Sequence, residues 1–203
     1  MTSLGKLARK VEQTRLQTQP LVHKRMNELS NNPNWFSELC FCITTANYTS
    51  EGGMRIQNAV PDFSIYNETQ IEALLRSHGY RFPRVRAKYL FEARKHKANL
   101  EELKAMGDSA TRREWLAANV KGIGMKEASH FLRNVGYYDV AVIDRHILNV
   151  LAEHGILKKP KTLTPKKYLE IEDVLLELAE ATGTSLGELD FYLWHMKTGK
   201  ILK

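Results

Sequence analysis

The chain has 203 residues, enough to bury a core as one domain or as two small lobes. Its apolar fraction of 43% and charged fraction of 26% are those of an ordinary globular protein. With 30 Lys and Arg against 23 Asp and Glu the net charge is +7, which favours an acidic macromolecule as partner, nucleic acid being the commonest. No apolar run approaches the ~18 residues of a membrane span, and no apolar signal core opens the chain. The expectation is a protein that engages no membrane and stays in the compartment where it is made.

Residues 3–30 read as helix, with Leu4, Leu7, Val11, Leu21, Val22, Met26 and Leu29 as apolar positions and an interruption at Pro20. Pro33-Asn34 starts a second helical segment, Trp35 to Ala46, in which Trp35, Phe36, Leu39, Cys40 and Ile43 recur at helical spacing. It is apolar enough for a buried central helix. Cys40 and Cys42 inside it read as core packing rather than as a disulfide or metal ligands. The polar stretch from Thr44 to Ser50 ends at Gly52-Gly53 and reads as a helix stop with turn chemistry.

Asn67 is an N-cap for a helix that runs through Ile71, Leu74 and Leu75 to Gly79. Tyr80-Arg81-Phe82-Pro83-Arg84-Val85-Arg86 then mixes aromatic and basic residues ahead of another helix. Pro83 pushes Phe82 toward an extended conformation, and a ring beside cations can stack a base while the cations hold its phosphate. The plainer alternative places Phe82 in the core and leaves the arginines solvated.

Short helices over residues 99–119 lead into VKGIGMKEASHFLRNVGYYDVAVIDRH, Val120 to His146. Gly122-Ile123-Gly124 separates two segments of helical pattern, and glycine admits backbone angles and close approaches closed to other residues. The second segment begins at this hairpin, so its unpaired N–H groups can form a small anion cradle for a phosphate. Lys126 follows two residues past the hairpin, and Asp144 lies 18 residues further on, ahead of the apolar run Ile147, Leu148, Val150 and Leu151 that ends near His154 and Gly155. By position Asp144 is an N-cap. Thr164-Pro165 opens the long segment from Tyr168 to Thr182, and Ser185 with Glu188 forms a capping box for the last helix, with Leu186, Leu189, Leu193 and Met196. Strand alternation, repeats and low-complexity stretches are lacking, so the expected class is all-α.

The hairpin, Lys126 and Asp144 resemble the helix-hairpin-helix DNA glycosylases, in which a lysine at the position of Lys126 is the nucleophile of the bifunctional members. KGIGMKEASHFLRN, VIDRH, the FYLW stretch near the end and the C-terminal lysine are similar to the archaeal-type 8-oxoguanine DNA glycosylase/AP lyase branch, over most of the chain. One departure is Val142-Ile143, where many superfamily members carry proline. The resemblance implies two helical lobes, with the helix-hairpin-helix and catalytic loop at about 112–146 and the active-site cleft between the lobes, all forming a single glycosylase unit over residues 1–203. It implies Lys126 and Asp144 as catalytic residues and Phe82, Trp194 and Lys203 as base-binding ones. Gly122, Gly124, Lys121, Arg84 and Arg86 are then DNA contacts, with Asn47 and Tyr48 as wedges for the gap left by an extruded base. His130, Arg133 and Arg145 are lesser candidates for phosphate contact. The partner would be double-stranded DNA with an oxidised guanine, bound by a monomer inside the cell.

The chemistry is consistent with these residue types. Cutting an N-glycosidic bond leaves positive character on the sugar, which a fixed carboxylate stabilises, and a neutral amine attacking C1′ gives a Schiff base open to β-elimination. No cofactor or metal is called for: His146, His154 and His195 lack metal-like spacing, and the four C-terminal cysteines of iron–sulfur relatives are missing. A pyrimidine-damage glycosylase/AP lyase and a non-enzymatic DNA-gripping module are the alternatives. The missing cysteines and terminal Lys203 oppose the first; the Lys126–Asp144 pair opposes the second.

Overall fold

The computed structural model describes residues 2–60 and 62–203. Their helices are α1 (Ser3–Ser30), α2 (Trp35–Thr45), α3 (Ser50–Ala59), α4 (Glu68–Ser77), α5 (Pro83–Ala93), α6 (Asn99–Ala105), α7 (Ser109–Asn119), α8 (Met125–Asn134), α9 (Arg145–Glu153), α10 (Pro165–Thr182) and α11 (Leu186–Thr198). Short 3₁₀ turns at Phe63–Ile65 and Arg94–His96 join them, and no strand occurs among the described residues, so the all-α expectation holds. None of these helices is long and apolar enough to cross a membrane.

Local chemistry sets most helix boundaries. Thr2, Asn34, Thr49, Asn67, Asp108, Asp144, Thr164 and Ser185 each place a side-chain oxygen on a backbone N–H of the helix they precede. At Asn67 the capping box is complete, with Gln70 reaching back to the Asn67 N–H. The box expected at Ser185 is only half made. Its hydroxyl takes the Glu188 N–H, but the Glu188 carboxylate turns to His23 at 3.0 Å and the Tyr192 hydroxyl at 2.7 Å.

The helices gather into two units. The terminal unit comprises residues up to Asn31 and Leu132–Lys203, the middle unit Asn32–Phe131, and the boundary falls inside α8. In the terminal unit α11 packs against α1, α9 and α10, around Tyr168, Phe191 and Tyr192 as large buried side chains. In the middle unit α2 packs on α3 and α5, and α4 on α5. From Leu39 to Ile43 every residue of α2 is fully or almost fully buried, Cys40 and Cys42 included, as expected for a central helix whose thiols pack in the core without a disulfide.

Two sequence expectations fail, each for its own reason. Pro20 does not interrupt α1, which runs continuously through it. Proline strips a donor from the carbonyl four residues earlier, here that of Leu16, whose side chain is 76% exposed, and water can satisfy that oxygen. Gly52 and Gly53 do not end a loop but lie in the first turn of α3. A Cβ on Gly52 would fall 2.1 Å from Tyr48 Cε1, and one on Gly53 2.7 Å from Thr45 Cγ2. These glycines serve close packing, which the local sequence does not reveal.

Candidate active site

The turn of the hairpin lies in the middle unit. Val120 closes α7, and the chain turns through Gly122 at φ +84°. Glycine is required there twice over: by that angle, and because a Cβ would sit 2.6 Å from Tyr89 Cδ2 and 3.1 Å from Arg86 Nη1. Gly124 is different. It has no positive φ, and a Cβ there would meet only Glu127 Oε2, at 3.4 Å. The cradle of free N–H groups expected from sequence is also partly occupied, since Ile123 N–H bonds the Val120 carbonyl at 3.1 Å and Gly124 N–H donates to Glu127 Oε2 at 3.3 Å. A phosphate at this turn would displace the Glu127 carboxylate from Gly124.

Lys126 is the second residue of α8, its side chain 26% exposed. Its ammonium lies 3.8 Å from Glu127 Oε1, an acidic neighbour on the same turn of α8. Lys121 pairs with Glu92 at 2.8 Å in open solvent. The bond raises the lysine pKa and lowers that of the glutamate, and solvent screening leaves the pair worth little to stability.

Phe82 caps α5 just before Pro83, with φ −128° as the proline demands, and its ring is 46% exposed with the Arg81 guanidinium 5.0 Å from its centroid. This is an available stacking face rather than a core ring. Arg84 is exposed. Arg86, read from sequence as a phosphate contact, is only 6% exposed and turns inward: Nη2 donates to the Ala46 carbonyl at 3.1 Å, and the guanidinium carbon lies 5.5 Å from the Tyr89 ring centre. Helical periodicity explains the reversal. Arg86 lies on the face of α5 that also buries Leu90 and Ala93.

Asn47 and Tyr48 part company as well. Asn47 is exposed at φ +62°, the lone positive φ of a non-glycine among the described residues. Tyr48 is half-buried; its ring packs 4.6 Å from that of Tyr80 and its hydroxyl donates to the His78 carbonyl at 2.7 Å. A ring so engaged is unsuited to insertion into DNA, which leaves Asn47 as the wedge candidate. Tyr80 donates its hydroxyl to the Ala46 carbonyl at 2.8 Å, and burial pushes its phenol pKa up, keeping it a donor. His130 is also interior, 5% exposed and edge-on to Phe41 at 5.7 Å, and so is no phosphate contact.

In the terminal unit Asp144 caps α9, and its Oδ1 accepts both the His146 N–H at 2.7 Å and the Ile147 N–H at 2.9 Å. Both bonds converge on one oxygen, leaving Oδ2 outside the cap. The approach to Asp144 is clamped by α10. Tyr168 donates its hydroxyl to the Ala141 carbonyl at 2.6 Å and accepts the Ile143 N–H at 3.2 Å, while Glu172 takes the Ala141 N–H at 2.7 Å. Ile143 therefore uses an N–H that proline lacks, which gives the Val142-Ile143 departure a physical reason.

His146, on the first turn of α9, meets Trp194 edge-on at 6.1 Å. Trp194 is half-buried on α11, and Lys203 ends a half-buried tail. Beside that tail an open cavity of about 310 Å³ is lined by Leu21, Lys24, Arg25, Glu28, His195, Gly199 and Ile201. Arg25 Nε and His195 Nδ1 are buried there without hydrogen-bond partners. Nothing in the local sequence singled out Lys24 or Arg25, because α1 and α11 meet only through the fold. Arg145 is exposed. Arg133 is not: it is 4% exposed, paired with Asp190, bonded twice to Asn134 Oδ1 at 3.0 and 2.8 Å, and set 4.4 Å from the Phe191 ring centre. It is a core cation, and Asp190, its partner, was missed.

An all-α chain with a glycine-turned helical hairpin, a lysine at the start of the second helix and a capping aspartate defines the class of helix-hairpin-helix DNA glycosylases. The comparisons narrow this. A family model described as 8-oxoguanine DNA glycosylase matches residues 18–184. The 8-oxoguanine DNA glycosylase/AP lyase of Methanocaldococcus jannaschii is 45% identical, covering 97% of this chain and 99% of the relative, and that of Thermotoga petrophila 39% identical, covering 98% and 100%. A solved structure of the M. jannaschii enzyme with a 15mer DNA containing 8-oxoguanine matches at TM-score 0.94 and 45% identity, covering 98% of this chain and all of that one. The Thermotoga maritima 8-oxoguanine DNA glycosylase matches at TM-score 0.93 and 38% identity, over 98% and 100%. The chain belongs to the 8-oxoguanine DNA glycosylase family.

Proposed function

We propose that the chain is a bifunctional DNA repair enzyme that excises 8-oxoguanine from duplex DNA and cleaves the abasic site it leaves. Membership of the family and the likeness to a relative solved with lesion-containing DNA support the activity and the substrate. Residues 1–203 work as one glycosylase unit, as a monomer, inside the cell where the DNA is.

In this reading Asn47 fills the gap left by the extruded nucleotide, and Phe82 and Trp194 flank the flipped base. Flipping costs a few kcal/mol, offset by such contacts. Exposed Arg84 and Lys121, with the hairpin N–H groups, hold phosphates. The neutral amine of Lys126 attacks C1′, the N-glycosidic bond breaks, and the base leaves with the bonding pair. Ring opening gives a Schiff base; loss of a C2′ proton then expels the 3′ phosphate by β-elimination. Asp144 supplies negative charge against the positive sugar in the transition state. The observation that carries the mechanism is the form of that cap, in which two backbone N–H groups fix the carboxylate through one oxygen and leave the other for chemistry.

The test is borohydride trapping. Wild-type protein forms a covalent complex with 8-oxoguanine duplex, and Lys126→Gln loses both trapping and base release. Undiminished trapping by that variant would assign the nucleophile to another amine.

A further inference from the structure

We propose that Arg86 is a positioning residue: it holds Asn47 in its insertion conformation and ties that turn to the Gly122 hairpin. The inference rests on the reading of the chain as a base-extruding glycosylase.

The argument begins with Asn47, held at φ +62° with its side chain exposed. A left-handed backbone at a non-glycine residue persists where the surroundings over-determine it, and such residues cluster at functional sites. Both neighbours of Asn47 are tied down. The Ala46 carbonyl accepts from Tyr80 Oη at 2.8 Å and Arg86 Nη2 at 3.1 Å; Tyr48 donates its N–H to Thr45 O at 3.0 Å and its hydroxyl to His78 O at 2.7 Å.

The other arm of the same guanidinium reaches the hairpin. Arg86 Nη1 occupies the space, 3.1 Å away, next to where a Gly122 Cβ would stand, and Tyr89 fills the rest. Arg86 also lies one turn past Phe82, whose carbonyl takes its N–H at 3.2 Å. The exposed stacking ring, the presented asparagine and the hairpin glycine thus share one buried cation. A lysine carries the charge but lacks the planar fork, so it cannot bond Ala46 and fill the space beside Gly122 together.

The experiment is a double-mutant cycle on Asn47→Ala and Arg86→Lys. It reads extrusion by 2-aminopurine fluorescence beside the lesion and base release under single turnover. Each single variant slows extrusion about tenfold, and the double is no slower than Asn47→Ala alone, because residues acting through one another are non-additive. Effects that multiply would mean Arg86 supports the fold without acting through Asn47, and would overturn the proposal. Should Arg86→Lys melt below the assay temperature, Arg86→Gln, which keeps a planar donor for the Ala46 carbonyl but cannot also fill the space beside Gly122, goes through the same cycle; multiplying effects there overturn the proposal equally. A wild-type protein that releases no 8-oxoguanine would instead refute the activity on which the inference rests.

Discussion

Replacing Asp144 by Asn separates the two things its carboxylate does. Oδ1 alone takes both cap bonds, at 2.7 and 2.9 Å, and an amide oxygen can take them over. Asn caps helices as well as Asp does, so the loss of stability is confined to the charge at the start of α9, about 0.3–1 kcal/mol. For a chain of this size that lowers the melting temperature by roughly 1–4 °C. The catalytic loss is larger. The charge on Oδ2 acts where positive character develops on the sugar, and removing one such stabilising group costs about 10²–10³ in rate. Single-turnover base release measured beside thermal melting therefore shows a near-native fold with release at least a hundredfold slower, on the same scale. Asp144→Ala removes the cap as well and costs a further ~0.5–2 kcal/mol. Wild-type release by Asp144→Asn would refute the electrostatic role, and a melting loss as large as that of the alanine variant would refute the equivalence of the two caps.

Deleting Lys203, or appending a tag after it, is expected to slow 8-oxoguanine release while sparing the nicking of a preformed abasic site. Losing a base-binding group slows base release but leaves nicking, which needs Lys126 and no base; equal release by tagged and untagged protein would show a bystander tail. Arg84→Ala and Lys121→Ala should weaken damaged and undamaged duplex alike and each reduce the salt slope of binding by roughly one, as measured by titration at several salt concentrations. Asp190→Asn leaves the Arg133 charge buried beside Phe191 without its counter-ion, so about 3–5 kcal/mol of stability should be lost in chemical denaturation. A cost under ~1 kcal/mol would place the pair in the range of exposed ion pairs.

Much of the chain was legible in sequence because the relevant physics is local. The caps at Asn67, Asp144, Thr164 and Ser185 act over three residues, and the apolar period of α2 declares a buried helix without reference to its neighbours. The positions of Lys126 after the hairpin and of Asp144 before α9 were legible for that reason, as was the extended Phe82 before Pro83. Only tertiary structure decided which charges serve DNA and which serve the fold. Arg84 and Arg86 are two residues apart with identical chemistry, yet one faces solvent and the other donates to a carbonyl 40 residues earlier. Arg133 meets a carboxylate 57 residues later, and Tyr48 is anchored to a carbonyl 30 residues on, while its neighbour Asn47 is turned outward. Gly52 and Gly53, which look like a turn, are glycines because other side chains close over their helix. A polar side chain's role depends on which distant groups replace water around it, and those groups are adjacent only once the helices have packed.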